Sequence, residues 1–311
     1  MADYTCLNQK DLESLLAFYD LGPLENARAL EGGQANSSYK ITTPKGEFTL
    51  SVCDEKTDKE IHCLTKVLTL LEIQGIASTR LIPARTGKGF IHFKDKPVYI
   101  KEFLPGQIIS RLTCSMVKEI GQAMAEIHRI TPPEYLPKAF PYGVSNFEKL
   151  VKKEISHPFI PWLKAYKQYI QTQLDPSMAK GFIHGDIFWD NLLFDRERLT
   201  AILDFEEACQ YYFLFDLGMT AVGYCADSQG FDMDKVAWML KGYQTTLPLG
   251  RKEKNQYKIF MIYAAVSAAF WRFRQYNIRY PDQEKKNNYK ELAELADQIR
   301  TMDQKQFMQI F

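Results

Sequence analysis

The stretch FIHGDIFWDNLLF, residues 182–194, constrains this chain more than any other, because it carries a histidine, two aspartates and an asparagine inside an apolar run. A plain buried strand does not hold so many polar groups, since each would need a hydrogen-bond partner away from water. Asp186 and Asn191 are five positions apart, which leaves room for a short loop between them. A second stretch, AILDFEEAC at residues 201–209, ends its apolar part at Asp204. We therefore interpret the two stretches as parts of one polar site.

Two short strands are predicted around these residues, at 192–195 and 200–204, and the segment RER between them favours a hairpin. Such a hairpin would bring Asn191 and Asp204 side by side at its mouth. Oxygen donors in this number suit Mg²⁺, which takes one or two protein ligands together with substrate phosphates. Asp186, on the loop before the hairpin, would then face an incoming hydroxyl. This division of roles is the one that phosphoryl transfer from ATP requires.

Each of these residues also has an ordinary explanation, because a single Asp or Asn in a loop is usually a turn residue or a helix cap. The order and spacing of the whole set are harder to explain in that way. The pattern is H-G-D-x-x-x-x-N, followed by an apolar run that ends in D-F. Together, Asp186, Asn191 and Asp204 therefore predict a site for phosphoryl transfer.

The combination HGDIFWDN…AILDFEEA resembles the catalytic core of the aminoglycoside-phosphotransferase and choline-kinase group, small-molecule relatives of protein kinases. The resemblance implies a bilobal, protein-kinase-like fold of the α+β class, with a small β-rich N-terminal lobe and a larger helical C-terminal lobe. It implies ATP and Mg²⁺ as cofactors, with Asp186 as the catalytic base. By the same resemblance, Asn191 and Asp204 are the magnesium ligands, and His184 braces the catalytic loop.

Three further stretches are similar to the homoserine kinases of this group, namely residues 15–52, 203–225 and 268–276. The resemblance implies an ATP-dependent kinase acting on the hydroxyl of L-homoserine, a step of threonine biosynthesis. The loop has Trp189 where homoserine kinases more often have arginine. Hydroxylysine, choline, methylthioribose and aminoglycosides therefore stay open as acceptors. A nucleotide-binding regulator without turnover is a third alternative, because the third strand lacks the lysine that most kinases have. For a kinase of homoserine or of another small alcohol, the expected partners are ATP and a small hydroxylated amino acid or amino alcohol.

Homoserine carries a carboxylate and an ammonium, so its site needs one cation and one anion. Arg274 matches the arginine that closes the group's RFW-x-S-R segment, and a guanidinium binds a carboxylate through two parallel hydrogen bonds. A surface arginine on an amphipathic helix is the other interpretation. Glu206 or Glu207 is the candidate for the ammonium, for a second magnesium or for simple exposure to water. Asp216 is expected to hold the catalytic loop rather than to touch substrate.

Phosphate binding is expected at the glycine turn EGGQANSSY, where Gly33 permits a tight turn. The amides and hydroxyls of Ser37 and Ser38 could reach phosphate oxygens, although an ordinary hairpin explains the turn as well. The third strand carries Ser51 where most kinases have a lysine. Lys40 is either the replacement cation or a solvated strand lysine.

Adenine binding is expected at VYIKEFLPG, which is the hinge by resemblance. Glu102 and Leu104 would pair with adenine through main-chain groups. The chain also changes character near the end of this segment. Short strands precede it, together with helices at 8–20 and 58–73. Helices dominate after it. They are expected at 113–129, at 147–174 with interruptions at Pro158 and Pro161, and from about 216. We therefore expect residues 1–104 to be the nucleotide-binding lobe and 105–311 to be the catalytic and substrate-binding lobe.

Composition supports a soluble globular protein and argues against several partners. The chain has 311 residues, a formal net charge of +1 and no basic block, so a nucleic-acid partner is not expected. Its 6 cysteines form no C-x-x-C pair, which favours reduced thiols in the cytoplasm over a zinc site or disulfides. The apolar run at 259–271 is too short to span a bilayer and predicts a buried helix. The protein is expected to be a monomer or homodimer.

Overall fold

The computed structural model describes residues 5–30, 36–153, 155–227 and 230–311, which divide into two compact units. One unit comprises Met1–Gly106 with Ala201–Leu203, and the other comprises Gln107–Thr200 with Asp204–Phe311. The first is rich in sheet and the second is mainly helical, so the expectation of an α+β fold is confirmed.

The first unit is built on an antiparallel sheet in the order β1-β2-β3-β6-β4, with β5 pairing with β6. Its elements are α1 (Gln9–Leu16), β1 (Asn26–Ala29), β2 (Asn36–Thr43), β3 (Gly46–Cys53), α2 (Asp58–Ile73), β4 (Leu81–Ile82), β5 (Ile91–Phe93) and β6 (Lys96–Glu102). Helix α2 has the predicted bounds, because a capping box between Thr57 and Glu60 begins it and an apolar stripe continues it. Helix α1 begins after its predicted cap, Asn8, but ends at Leu16, four residues before the expected end.

The core of the first unit lies between α1 and one face of the sheet. Leu12, Leu15 and Leu16 are buried against strand residues such as Leu50 and Val52. Because alternate residues of a strand point to opposite faces, Ser51 belongs to the other face. The two faces of β3 therefore differ in chemistry. Residues of the paired strand β2 alternate between the same two faces, with Ser37 opposite Val52 and Ser38 opposite Ser51.

The second unit combines helices with three short strand pairs. Its elements are α3 (Cys114–His128), α4 (Val144–Val151), α5 (Phe159–Gln173), β7 (Lys180–Ile183), β8 (Leu192–Asp195), β9 (Arg198–Ile202), β10 (Cys209–Tyr212), α6 (Phe213–Tyr224), β11 (Ala226–Asp227), β12 (Gly230–Phe231), α7 (Met233–Tyr243), α8 (Arg251–Arg274), α9 (Tyr289–Thr301) and α10 (Gln304–Met308). Strand β7 pairs with β10, β8 with β9 and β11 with β12. The predicted hairpin is therefore present.

Two details of the predicted elements are wrong. Pro161 does not interrupt a helix, because it lies in the first turn of α5, where a proline removes no intrahelical hydrogen bond. The second strand of the hairpin ends at Ile202 rather than at 204. Asp204 therefore lies beyond the strand, in a separate backbone conformation described below.

Helix α8 contains the apolar run at 259–271, and nearly all of that run is buried, as predicted. Helices α3 and α7 pack closely through two glycines. A Cβ atom on Gly121 would overlap the carbonyl oxygen of Met239, and one on Gly242 would overlap that of Lys118. Within the described part of the chain, we find no helix with the length and apolar character needed to cross a membrane.

Candidate active site

The H-G-D loop leaves a buried strand through a glycine that no other residue could replace without strain. Strand β7 pairs with β10, and its last residue, Ile183, is fully buried. Gly185 then adopts φ +88°, which side chains rarely tolerate. A Cβ atom there would also lie 3.0 Å from the Glu207 carbonyl oxygen and 3.0 Å from the Phe140 ring. The glycine of the motif thus follows from both backbone conformation and close packing.

Asp216, in the first turn of α6, anchors the start of the loop. Its side chain is fully buried and accepts hydrogen bonds from the backbone amides of His184 at 2.9 Å and Gly185 at 2.7 Å. His128 Nε2 lies 3.1 Å from the same carboxylate, and His128 Nδ1 lies 2.9 Å from the Tyr243 hydroxyl. Asp216 therefore holds the loop, as its place in the sequence suggested.

The ionisation of Asp216 follows from these contacts. Burial acts to raise its pKa, but the hydrogen bond and charge of His128 outweigh burial and leave the pKa below its ordinary value. His184 and its backbone amide act in the same direction. The group is therefore a buried carboxylate that its neighbours keep ionised.

His184 has the position of a brace. Its ring is fully buried, its centroid lies 4.4 Å from that of Phe205, and its Nδ1 accepts a hydrogen bond of 3.1 Å from the backbone amide of Asp186. The ring thereby links the loop to the segment that follows Asp204.

Asp186 is partly buried and lies within the field of other carboxylates. Burial raises its pKa well above the ordinary value. The negative charges of Asp204, Glu207 and Asp190 raise it further, while a hydrogen bond from Asn191 acts in the opposite direction. The site therefore concentrates negative charge that bound cations would neutralise.

Asn191 and Asp204 each present oxygen toward this site. Asn191 donates its side-chain amide to the Asp186 carbonyl at 2.9 Å, which leaves its amide oxygen for another partner. Asp204 adopts a left-handed conformation, φ 59° and ψ 68°, immediately before a short helix at Phe205–Glu207. Its Oδ1 accepts from the Glu206 amide at 3.3 Å. An unusual backbone conformation of this kind is typical of functional sites.

The oxygen donors of Asn191 and Asp204 are of the kind that Mg²⁺ prefers. A carboxylate and an amide oxygen are the one or two protein ligands that Mg²⁺ usually takes beside phosphates. No group of three or more His, Cys, Asp or Glu side chains suited to a metal occurs among the described residues. An all-protein metal cage is thus not seen there, and the ion would share its coordination with substrate.

The serines of the glycine turn point to opposite faces of β2. The Ser37 hydroxyl donates to Asp54 at 2.6 Å, and Asp54 also pairs with Lys96 at 2.7 Å. The Ser38 hydroxyl lies 3.1 Å from that of Ser51 on β3. Gly33 is outside the described residues. The structure thus separates the two hydroxyls, which could not serve one phosphate group together.

Lys40 and the hinge residues have partners within the first unit. Lys40 pairs with Glu47 at 2.7 Å and lies 4.0 Å above the centre of the Phe103 ring. The Glu102 amide donates to the Arg80 carbonyl at 2.9 Å, so an adenine contact by Glu102 would use its carbonyl oxygen. Leu104 follows the end of β6. Lys40 is therefore an ion-paired strand lysine rather than a solvated one.

Arg274 ends α8 and is partly buried, yet its guanidinium makes no ion pair or hydrogen bond with any described residue. Arg272, two positions earlier, pairs with Glu291 at 2.9 Å. A chain of aromatic rings links this helix end to the catalytic loop. The ring of Phe140, which packs against Gly185, lies 5.7 Å from that of Tyr142, and Tyr142 lies 6.4 Å from Trp271, one turn before Arg274.

Sequence reasoning missed one residue beside Asp186 and did not decide between two others. Asp190 stands among the variable positions of the H-G-D-x-x-x-x-N pattern, where nothing in the spacing marks it. Of the acid pair, Glu207 adds negative charge that raises the pKa of Asp186. The short helix at Phe205–Glu207 directs these two neighbouring carboxylates differently, and the apolar pattern does not predict that helix.

Together, the fold and this loop define a kinase-like phosphotransferase. A profile of the phosphotransferase enzyme family matches residues 26–248, and the chain belongs to that family. Curated relatives include a homoserine kinase of Caulobacter vibrioides, 29% identical over 86% of this chain and 87% of the relative. One of Xanthobacter autotrophicus is 24% identical over 82% of each chain.

Solved structures confirm the kinase-like fold. An amicoumacin kinase, solved with AMP-PNP and Ca²⁺, aligns with a TM-score of 0.76 and 16% identity over 96% of each chain. A microcompartment-associated aminopropanol kinase aligns with a TM-score of 0.71 and 17% identity, covering 93% of this chain and 95% of the other. At these identities the likeness concerns the fold alone.

Proposed function

We propose that this phosphotransferase transfers the γ-phosphate of ATP to the hydroxyl of L-homoserine, forming O-phosphohomoserine. Curated relatives named homoserine kinase, over more than four fifths of the chain, support this acceptor. The proposal assigns the step to threonine biosynthesis.

Asp186 is the proposed base, which orients the acceptor hydroxyl and accepts its proton. Asn191 and Asp204 are the proposed magnesium ligands, and Mg²⁺, when bound, offsets the charge of the phosphates. ATP is proposed to pair with the carbonyl of Glu102 and with the main chain of Leu104. Its phosphates are proposed to bind at Gly33, Ser37 and Ser38, although the Ser37 hydroxyl already donates to Asp54.

The structural observation that best supports homoserine as the acceptor concerns Arg274. A partly buried guanidinium has lost some of its hydration, so it is expected to have a partner. No described residue supplies one, whereas the neighbouring Arg272 has Glu291. A carboxylate on the substrate would complete the pair, and this feature separates an amino acid such as homoserine from an amino alcohol. Glu206 and Glu207 remain the proposed partners of the substrate ammonium.

The experiment is a coupled assay of ADP release with L-homoserine and, in parallel, with 3-amino-1-propanol, which is homoserine without its carboxylate. We expect Arg274→Gln to reduce kcat/KM for homoserine about 10- to 100-fold, since a hydrogen bond to a charged group contributes about 1.5–3 kcal/mol. Activity on the amino alcohol should not change. Arg272→Gln is the matched control, and Asp186→Asn should abolish turnover while ATP still binds.

Equal effects of the two arginine substitutions on homoserine turnover would refute the role of Arg274. Absence of ADP release with millimolar homoserine would refute the acceptor itself.

A second acceptor class is supported by Trp189 and by the acid pair. Trp189 is exposed on the loop, where homoserine kinases more often have arginine, and Glu207 adds negative charge beside Asp186. A cationic amino alcohol or aminoglycoside would suit such a site, with the same base and the same metal ligands. A panel of hydroxylysine, choline, methylthioribose and an aminoglycoside in the same assay decides between the classes.

A further inference from the structure

The Tyr224 hydroxyl is a buried polar group without a partner in the described part of the chain. The side chain is only 7% exposed, and its oxygen makes no hydrogen bond with any described residue. Other buried tyrosines are satisfied: Tyr257 donates to the Leu217 carbonyl at 3.2 Å, and Tyr263 lies 2.7 Å from the Tyr211 hydroxyl. An unmade buried hydrogen bond destabilises a protein, so each such group calls for an explanation.

The position of Tyr224 places its hydroxyl beside the catalytic loop. Helix α6 runs along the loop, from Asp216, which binds its first amides, to Gly223, where a Cβ atom would lie 3.2 Å from the Ile187 carbonyl oxygen and 3.2 Å from the Phe188 ring. Positions 216, 220 and 224 follow one another at four-residue spacing along the helix surface. Tyr224, the last residue of α6, therefore continues the side that faces the loop.

The charges that act on Tyr224 identify which part of the loop it faces. Burial raises the pKa of its phenol well above the ordinary value, and the carboxylates of Asp190 and Asp186 are the next contributors. The phenol therefore stays protonated, and its oxygen lies in the negative field on the side of the proposed base.

We propose that Tyr224 is a binding residue of the acceptor site, where its hydroxyl oxygen accepts a hydrogen bond from the ammonium of an amino acid or amino alcohol and Asp190 adds to the negative charge that Glu206 and Glu207 are proposed to supply. The inference rests on the proposed function in one respect, that the acceptor is a small hydroxylated amine. A group on the side of the base meets the acceptor, because the nucleotide phosphates lie with the metal. The substrate thus supplies the partner that the free protein lacks.

The test compares Tyr224→Phe with Tyr257→Phe, which removes a hydroxyl that is already satisfied. Each variant is characterised by its melting temperature, its KM and kcat/KM for the acceptor and its KM for ATP. For Tyr224→Phe we expect an unchanged or higher melting temperature, about a tenfold loss in acceptor kcat/KM and an ATP KM that changes less than about twofold. For Tyr257→Phe we expect a lower melting temperature and unchanged acceptor kinetics.

Three results would overturn the inference. Unchanged acceptor kinetics in Tyr224→Phe would remove the role in binding. A loss of melting temperature as large as that of Tyr257→Phe would show that the hydroxyl has a partner within the protein. A rise in the KM for ATP alone would assign the group to the nucleotide.

Failure of the homoserine proposal has a separate signature. The unmodified protein would then release ADP with another amine of the panel. The comparison of Tyr224→Phe with Tyr257→Phe is repeated with that amine, and the expected results are the same.

Discussion

Replacing Asp216 with asparagine isolates the anchor of the catalytic loop, because the two side chains have nearly the same volume. Both carboxylate oxygens are in use: Oδ1 accepts from Gly185 N at 2.7 Å, and Oδ2 accepts from His184 N at 2.9 Å and faces His128 Nε2 at 3.1 Å. An asparagine has one oxygen and one NH₂ group. Whichever way the amide is oriented, its NH₂ meets at least one backbone N–H that then has no acceptor.

The expected loss of stability follows from these contacts. A hydrogen bond to a charged group contributes about 1.5–3 kcal/mol, and a buried donor left without a partner costs about 1–3 kcal/mol. Because these contributions overlap, we expect Asp216→Asn to reduce the free energy of unfolding by about 3–5 kcal/mol near neutral pH. Turnover should fall as well, since His184 and Gly185 lead directly into Asp186.

The loss should depend on pH in a defined direction. The folded-state pKa of Asp216 lies below its ordinary value, so its contribution is complete above the ordinary carboxyl pKa and disappears as the pH falls through the lowered one. The difference between the two proteins should therefore shrink on acidification. Urea denaturation at several pH values measures it, with Asp20→Asn as a control, because Asp20 is 76% exposed and pairs only with surface groups. A loss no larger than that of the control, or a difference that grows in acid, would refute this reasoning.

Two further substitutions probe packing and charge elsewhere. Gly121→Ala should destabilise the protein by about 1–3 kcal/mol in urea denaturation, because the new methyl group overlaps the Met239 carbonyl; Gly250→Ala, where φ is −74°, should cost less. Asp54→Asn should flatten the acid dependence of the melting temperature. Burial acts to raise the Asp54 pKa, but hydrogen bonds from Lys96 and two hydroxyls leave it lowered, so its contribution is lost as the pH falls. An unchanged acid dependence would contradict this assignment.

Much of the local structure was predictable because its causes are local. Helix α2 has its predicted bounds, since Thr57 and Glu60 cap it and its apolar stripe repeats at helical spacing. The β8–β9 hairpin followed from two short apolar runs and a polar turn. The grouping of Asp186 with Asn191 required only the short loop between them, and their hydrogen bond of 2.9 Å agrees with it.

Other features were not predictable because their causes are distant or conformational. His128 and Asp216 are 88 positions apart, and no periodicity relates a buried histidine to a buried aspartate at that distance. The left-handed conformation of Asp204 has no signal in an apolar run that continues through Leu203. The opposite directions of Ser37 and Ser38, in contrast, could have been derived from the two-residue period of a strand.

The loop combines two opposing electrostatic arrangements, and their separation explains how it can hold so much charge. At its start, Asp216 is paired with donors from every side, and its pKa is lowered. A few residues later, Asp186 is surrounded by like charges, and its pKa is raised. Repulsion among carboxylates would open a loop that relied on them for its structure. Because Asp216 and Gly185 determine the backbone of the loop instead, Asp186 can be kept beside like charges, which the proposed metal and substrate would offset. The stability of the loop and its chemistry therefore reside in different residues, which is why substitutions at Asp216 and at Asp186 are expected to differ in kind.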